Sequence, residues 1–295
     1  MKKQITGFPS IWLADFHSLE EFEEFDKSIF SVFDWLDDRV LISRHSFKYP
    51  AYCTSCEQVT TMQLHWFYGA TEENGSIHPA WTETSICENC GLNSRMRALF
   101  DFIKTRIGFE KIRKGYIAEQ TTPLYRLLKK FIPSFIGSEY IDSKHQGGKI
   151  VSRGLLRIRH EDLRALSFQN NEFDIVITLD VFEHIPNYHQ AFSEIYRVLV
   201  NQGYLVFTIP FFSNQKNTII RASESGSGIV HHLPPEIHGN PISPEGSLCY
   251  QNFGWDILKD LERCGFSNAT ASLYWGPWQG HLGYPFFVFA ARKFD

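Results

Sequence analysis

Two groups of residues in this chain have the types and spacing to do chemistry. The first is a pair of Cys-x-x-Cys knuckles, Cys53-Thr-Ser-Cys56 and Cys87-Glu-Asn-Cys90. Close thiolate pairs joined by a loop can complete a tetrahedral four-sulfur site, so Cys53, Cys56, Cys87 and Cys90 are expected to hold a structural zinc ion. Four thiolates leave the metal no open position. Its task would be to hold a segment too small to fold on its own core. Free thiols and a redox or iron–sulfur role are the alternatives. The second group is Asp180, Glu183 and His184, which directly follow a short β-branched run, Ile175 to Thr178. His231, His232 and His238 lie downstream in a stretch dense in histidine, proline and glycine. Imidazoles titrate near neutrality, so His184, His231, His232 and His238 are the candidate general bases. The three downstream histidines are also candidate metal ligands. Glu183 is read as orienting a neighbour or capping a helix.

The elements that must position these groups can be read from periodicity. Ile175 to Thr178 is too short for a helix and apolar enough for a strand buried on both faces. Ile185, Tyr188, Phe192, Ile195 and Leu199 then recur at helical spacing, and Asn201-Gln202-Gly203 is expected to end that helix, with Gly203 as a left-handed cap. Tyr204 to Ile209 reads as a second strand that Pro210 stops. Strand, helix, strand implies a parallel pair, and sheets of that kind bind ligands beyond the carboxyl ends of their strands. Upstream, Tyr116-Ile117-Ala118 reads as a first strand. Thr121 or Thr122 is expected to cap a helix opened by Pro123. Ile136 to Ile141 reads as a second strand and Leu155 to Ile158 as a third. The turn after the first strand has no Gly-x-Gly-x-x-Gly, so nothing there cradles a pyrophosphate. Glu139 lies about twenty residues past that turn, where an acid takes a ribose hydroxyl pair in such sheets. Asp162 could accept a hydrogen bond from a base amino group or cap a helix. A helix from Gly254 to Cys264 and two strands, Ala269 to Tyr274 and Phe286 to Ala291, close the chain as an antiparallel edge.

The remaining sequence sets bounds. The 295 residues carry a formal net charge of −4, which gives no global sign of a nucleic-acid partner. No secretion-signal core follows Met1-Lys2-Lys3 and no run is long enough to span a membrane, so a reducing cytoplasm is the expected location. Three segments are expected. Residues 1–50 form a helical extension, with Phe22, Phe25, Ile29, Phe33 and Leu36 on one face of a helix from Leu19 to Leu36. Residues 51–111 form a zinc-binding region and a connecting helix from Asn93 to Ile107. Residues 112–295 form an α/β domain with a substrate or lid insertion at 211–250. Arg95, Arg97, Lys104 and Arg106 either solvate the outer face of the connecting helix or make the ribbon a nucleic-acid or protein reader. Trp275 and Trp278 either line a pocket in which a sugar could stack or are explained equally well by ordinary burial.

The stretch FDIVITLDVFEHIPNYHQAFSEIYRVLVNQGYLVFTIPF resembles the fourth strand, acidic turn, helix and fifth strand of class I S-adenosylmethionine-dependent methyltransferases. HEDLRALSFQNNEFD resembles the segment leading into that fourth strand. WTETSICENCGLNSRMRALFDFI is similar to a zinc-knuckle-plus-arginine segment preceding the catalytic domain in a bacterial subgroup. The resemblance implies an α/β Rossmann-like seven-stranded sheet with a terminal antiparallel edge, preceded by a helical segment and a zinc ribbon-like region. It implies S-adenosylmethionine as cofactor, with Glu139 on the ribose, Asp162 and Leu163 at the adenine, and Asp180 bordering the methionine part. Either Glu119 or Gln120 would take the place of the glutamate that the subgroup carries at its first turn. The implied activity is methyl transfer by direct displacement to a small-molecule or saccharide acceptor. An RNA or protein methyltransferase and a non-catalytic binding module on the same fold are the alternatives.

Overall fold

A computed structural model describes residues 11–25, 28–66, 71–73, 76–226, 228–240 and 242–294. The Met1–Lys3 start, and Gly69 and Gly75 of the zinc-binding region, lie outside them. The chain divides into two compact units. One comprises His17–Phe22, Gly108–Ala271 and the described part of Phe289–Asp295. The other comprises the described residues of Met1–Phe16, Glu23–Ile107 and Ser272–Val288.

The main sheet has seven strands: β1 (Trp12–Phe16), β2 (Lys114–Ile117), β3 (Ser134–Gly137), β4 (Phe173–Leu179), β5 (Leu199–Thr208), β6 (Phe266–Gly276) and β7 (His281–Lys293). Their order is β1-β6-β7-β5-β4-β2-β3. β4 runs parallel to both β2 and β5, and β2 runs parallel to β3. β7 is antiparallel to β5, which gives the expected reversal at that edge. Phe173, Ile175, Val176 and Ile177 are fully buried, as a central parallel strand covered on both faces requires. The strands thus carry Ile117, Gly137, Leu179 and Thr208 to one rim of the sheet.

The seventh strand does not come from the segment expected to supply it. Leu156–Arg159 instead pairs antiparallel with Ile150–Arg153 as a separate hairpin. Beyond β3 it meets the sheet through a parallel bridge between Glu139 and His160. Its own solvent-side apolar residues, Leu155 and Leu156, show why: a strand with both exposed has no second face to bury. The place is filled at the opposite edge by β1.

The helix between β4 and β5, Tyr188–Val198, is capped by Asn187, whose side chain accepts from Gln190 N at 3.3 Å. Tyr188, Phe192, Ile195 and Val198 are its buried stripe. It stops at Val198 and the chain passes straight into β5, so Gly203 is not its cap. The left-handed residue is Gln202, at φ 64°. Gly203 is required for a different reason: a Cβ there would sit 2.8 Å from the Val200 carbonyl oxygen. Thr122 caps the short helix Pro123–Leu128, with Pro123 in its first turn. The helix expected from Leu19 to Leu36 is two helices, Leu19–Glu24 and Ser28–Val40.

The 211–250 stretch has more regular structure than its sequence suggests. It contains one hairpin pairing Ala222–Ser225 with Gly228–His231, and another pairing Ile237–Asn240 with Ser243–Leu248.

Candidate functional site

Beyond the rim formed by β2, β3 and β4 lies a cavity of about 330 Å³, near the lower end of the range for small-ligand sites. Its walls come from the turns after those strands (Ala118, Glu119, Glu139, Asp180), from Asp162 to Arg164, and from the hairpins of the 211–250 stretch (Asn240, Ser247, Tyr250). The expected ligand position beyond the carboxyl ends is therefore an open, walled space.

Glu139 is buried on this wall. Its Oε1 accepts three hydrogen bonds from the turn after β2: Gln120 N at 2.8 Å, Thr121 N at 3.0 Å and Thr121 Oγ1 at 2.9 Å. Among the described residues, no donor reaches its Oε2. One carboxylate oxygen fixes the turn and the other remains able to accept. The open choice at that turn now has distinct placements. Glu119 lines the cavity. The Gln120 side chain spans to the neighbouring strand, donating to Arg157 O and accepting from Arg159 N, both at 2.8 Å. Gly137 lets β3 pack closely on this turn and the helix after it: a Cβ there would meet the Tyr125 ring at 2.7 Å and Glu119 O at 3.0 Å.

Asp162 and Leu163 also line the cavity, but the Asp162 carboxylate already holds Arg164, with Nη2–Oδ2 at 2.9 Å. Arg164 reaches on to Glu224 at 3.2 Å. Asp180 accepts from Thr208 Oγ1 at 2.8 Å and sits in the left-handed region at φ 49°.

The histidines separate. His231 and His232 are exposed on or beside the first hairpin and do not line the cavity; His232 Nε2 instead meets Ser223 Oγ at 2.9 Å. His184 lines it, and His238 is brought beside His184 with the rings 5.2 Å apart. Between them lies Glu183, fully buried. Its Oε1 is 3.5 Å from His184 Nε2 and 3.8 Å from His238 Nδ1, and neither carboxylate oxygen has a partner at hydrogen-bonding distance. Burial raises the Glu183 carboxyl above its usual range. The His238 imidazole is pushed up to about 9, first by that facing carboxylate and then by Glu236. Sequence reasoning assigned Glu183 an orienting or capping task. Its burial, which the local sequence does not announce, was the missing signal.

Residues 135–207 match the methyltransferase domain family. An uncharacterized protein of Methanocaldococcus jannaschii is 33% identical over 72 residues, a match covering 24% of this chain and 30% of that relative. The chain therefore spans under a third of that protein's length. Three solved structures are similar in fold. Streptomyces venezuelae DesVI has a TM-score of 0.42 at 10% identity, covering 67% of this chain and 90% of its own. Haemonchus contortus phosphoethanolamine N-methyltransferase 2 has a TM-score of 0.41 at 13% identity, covering 68% and 54%. Burkholderia thailandensis 1,6-didemethyltoxoflavin-N1-methyltransferase has a TM-score of 0.39 at 15% identity, covering 68% and 78%.

The second site lies in the other unit. Phe47–Cys53 and Gln58–Leu64 form a hairpin, and Ser85–Cys87 adds a third strand. Each knuckle turns on a left-handed residue directly after its second cysteine, Glu57 at φ 55° and Gly91 at φ 73°. Cys53 Sγ and Cys90 Sγ are 3.8 Å apart, and Cys56 Sγ and Cys87 Sγ 3.9 Å. A tetrahedron with metal–sulfur bonds of about 2.3 Å has edges of roughly 3.8 Å; these two edges match it, and all four sulfurs lie within 4.8 Å of one another, as one chelated ion requires. The four nearby cations are all engaged within this unit. Arg95 pairs with Glu83, Lys104 with Glu57 and Arg106 with Asp15. Arg97 is fully buried and donates to the carbonyls of Gln279 and Gly280, which corrects its expected place on a solvated face. Trp275 is likewise core, stacked on Phe33 at 3.8 Å, while Trp278 is exposed; neither lines the cavity. Ordinary burial, the other reading of these tryptophans, accounts for Trp275.

Proposed function

We propose that this chain transfers a methyl group from S-adenosylmethionine to a small-molecule acceptor. The observation that carries the reading is Glu139, a buried acid on the cavity wall at the end of β3, with one oxygen committed to the neighbouring turn and the other unclaimed. That acceptor suits a ribose diol. The match of residues 135–207 to the methyltransferase domain supports the same reading. So does the open cavity beside Glu119, which a non-catalytic module would not need.

S-adenosylmethionine, when bound, supplies a methyl group already activated on a sulfonium, so alignment and exclusion of water are the protein's main tasks. Glu139 would hold the ribose. Leu163, with Asp162 if Arg164 releases it, would meet the adenine, and Asp180 would border the methionine part. Gln120 holds the turn rather than the cofactor. An acceptor that carries its proton must lose it, and His184 is the histidine of the cavity wall. With Arg95, Arg97, Lys104 and Arg106 all engaged, a small acceptor is favoured over a nucleic acid. Among the described residues no helix is long and apolar enough to cross a membrane. We assign zinc to the four-cysteine cluster on its donor set and its sulfur spacing.

Calorimetry with S-adenosylmethionine and S-adenosylhomocysteine tests the site. The wild-type chain should bind both. Glu139→Gln, which keeps an acceptor for the turn, should weaken binding about tenfold or more, the loss expected for a charge-assisted hydrogen bond. Failure of the folded wild type to bind either compound would overturn the reading.

A further inference from the structure

Glu183 calls for a counterpart that its neighbours do not give it. It is fully buried, and no hydrogen-bond donor satisfies either oxygen. The two imidazoles beside it are held by their far sides. His184 Nδ1 contacts the Leu248 carbonyl oxygen at 2.9 Å, which requires a proton on that nitrogen and leaves Nε2, the atom facing Glu183, with a bare lone pair in the neutral ring. His238 Nε2 contacts Glu236 Oε1 at 2.8 Å, which in the same way leaves Nδ1 facing Glu183. A backbone carbonyl behind one histidine and a carboxylate behind the other are the supports that metal-ligating histidines carry. One ligand atom from each of Glu183, His184 and His238 lies within 4.8 Å of the other two.

We propose that Glu183, His184 and His238 form a second metal site, distinct from the four-cysteine cluster, for a divalent transition-metal ion. Two imidazoles and one carboxylate suit manganese, iron, cobalt, nickel or zinc, and three protein donors leave such an ion at least one open position. His184 belongs to the cavity wall, so the acceptor compartment can supply the remaining ligand. The substrate class that follows is an acceptor presenting a hydroxyl oxygen to the ion. This last step rests on the methyl-transfer reading above; the metal site itself does not. Coordination lowers the hydroxyl's pKa and its proton leaves to solvent. The oxygen then forms a bond to the methyl carbon as the carbon–sulfur bond breaks, and the electron pair stays on sulfur as a neutral thioether. His184 is then a ligand, and the ion does the work otherwise assigned to a base.

Manganese(II) is the probe, because thiolates favour softer ions and the four-cysteine cluster should keep its own. Electron paramagnetic resonance titration of the intact chain, freed of loosely held ions by gel filtration, should find one bound Mn2+. Electron spin echo modulation should show nitrogen coupling from two imidazoles. His238→Ala should weaken binding at least about 100-fold, and the supporting change Glu236→Gln about 10- to 100-fold. Cys249→Ser removes the third donor of the alternative set Glu236, His238 and Cys249, and should leave affinity unchanged. Folded protein, judged by circular dichroism, that binds no Mn2+, or binds it without nitrogen coupling, would overturn the proposal and leave Glu183 and His238 as an ion pair. Unchanged affinity in folded His238→Ala would do the same. Mn2+ binding without S-adenosylmethionine binding would support the site and remove the methyl-transfer step. The converse would remove the metal site alone.

Discussion

The four-cysteine ribbon and the Glu183 cluster both gather metal-ligating side chains, but they reach that state differently. In the ribbon, the ligands sit at two tight turns, and each turn's own backbone fixes its pair: Cys56 N and Glu57 N both donate to Cys53 O, and Gly91 N donates to Cys87 O. The surrounding core is built on them, since Cys53 and Cys87 pack with Phe47, Met62, Leu64 and Trp81. Glu183 and His184 follow β4, and His238 arrives from a hairpin far along the chain. Glu183 is buried with neither carboxylate oxygen hydrogen-bonded, so its carboxylate is a cost to that fold. The difference suggests that donors serving a fold are local and structurally rewarded, whereas donors serving a reaction can be placed at the expense of stability.

The largest test of this contrast is chelation. Stripping the ribbon of zinc, or Cys87→Ser, should unfold it, because binding energies of about 10 kcal/mol or more are folding energy in such modules. Limited proteolysis should then cut between residues 53 and 90. Persistence of a protected ribbon without metal would put the two sites on the same footing.

A second test uses a buried acid in the ribbon's unit. Asp37 accepts from Gly283 N at 2.8 Å, and burial pushes its carboxyl up to about 7, helped by Asp34 and Asp38. The folded chain therefore holds a proton that the unfolded chain has released. Stability should fall as pH rises from about 4 to about 7, by up to about 4 kcal/mol, and then level off. Asp37→Asn should flatten that slope in urea titrations at several pH values. If the slope survives the substitution, another group carries it.

The contrast predicts an opposite sign at Glu183. In metal-free protein, Glu183→Met should raise stability by about 1–3 kcal/mol, since an apolar side chain of similar volume removes a buried carboxylate that has no hydrogen-bond partner. A fall in melting temperature would show that the carboxylate serves the fold. The smallest effect is expected at Trp278, exposed and off the cavity: Trp278→Ala should change stability by no more than about 0.5 kcal/mol and leave acceptor KM unchanged.

The sequence was most legible where structure is local. The cysteine spacing implied a chelating cluster, and the β4–helix–β5 unit followed from a change of period between Ile177 and Tyr188. The position of Glu139 followed from its distance past the first turn, because a strand, helix and strand of ordinary length leave little freedom there. Tertiary pairing hid the rest. Leu156–Arg159 carries strand composition, but only the fold shows that it pairs with Ile150–Arg153. His238 resembled its neighbours His231 and His232 until the hairpin register chose among them. Arg97 read as a surface cation because nothing local announces two carbonyls waiting at Gln279 and Gly280.

Asp180 carries one further implication. It holds a backbone conformation that costs most residues of order 1 kcal/mol, at the lip of the cavity, with Thr208 steadying its side chain. A glycine would sit there more comfortably. Laboratory evolution that rewarded heat tolerance alone would thus be drawn toward Asp180→Gly, and lineages that resisted that drift under selection for turnover would mark the position as one that natural selection maintains for its chemistry.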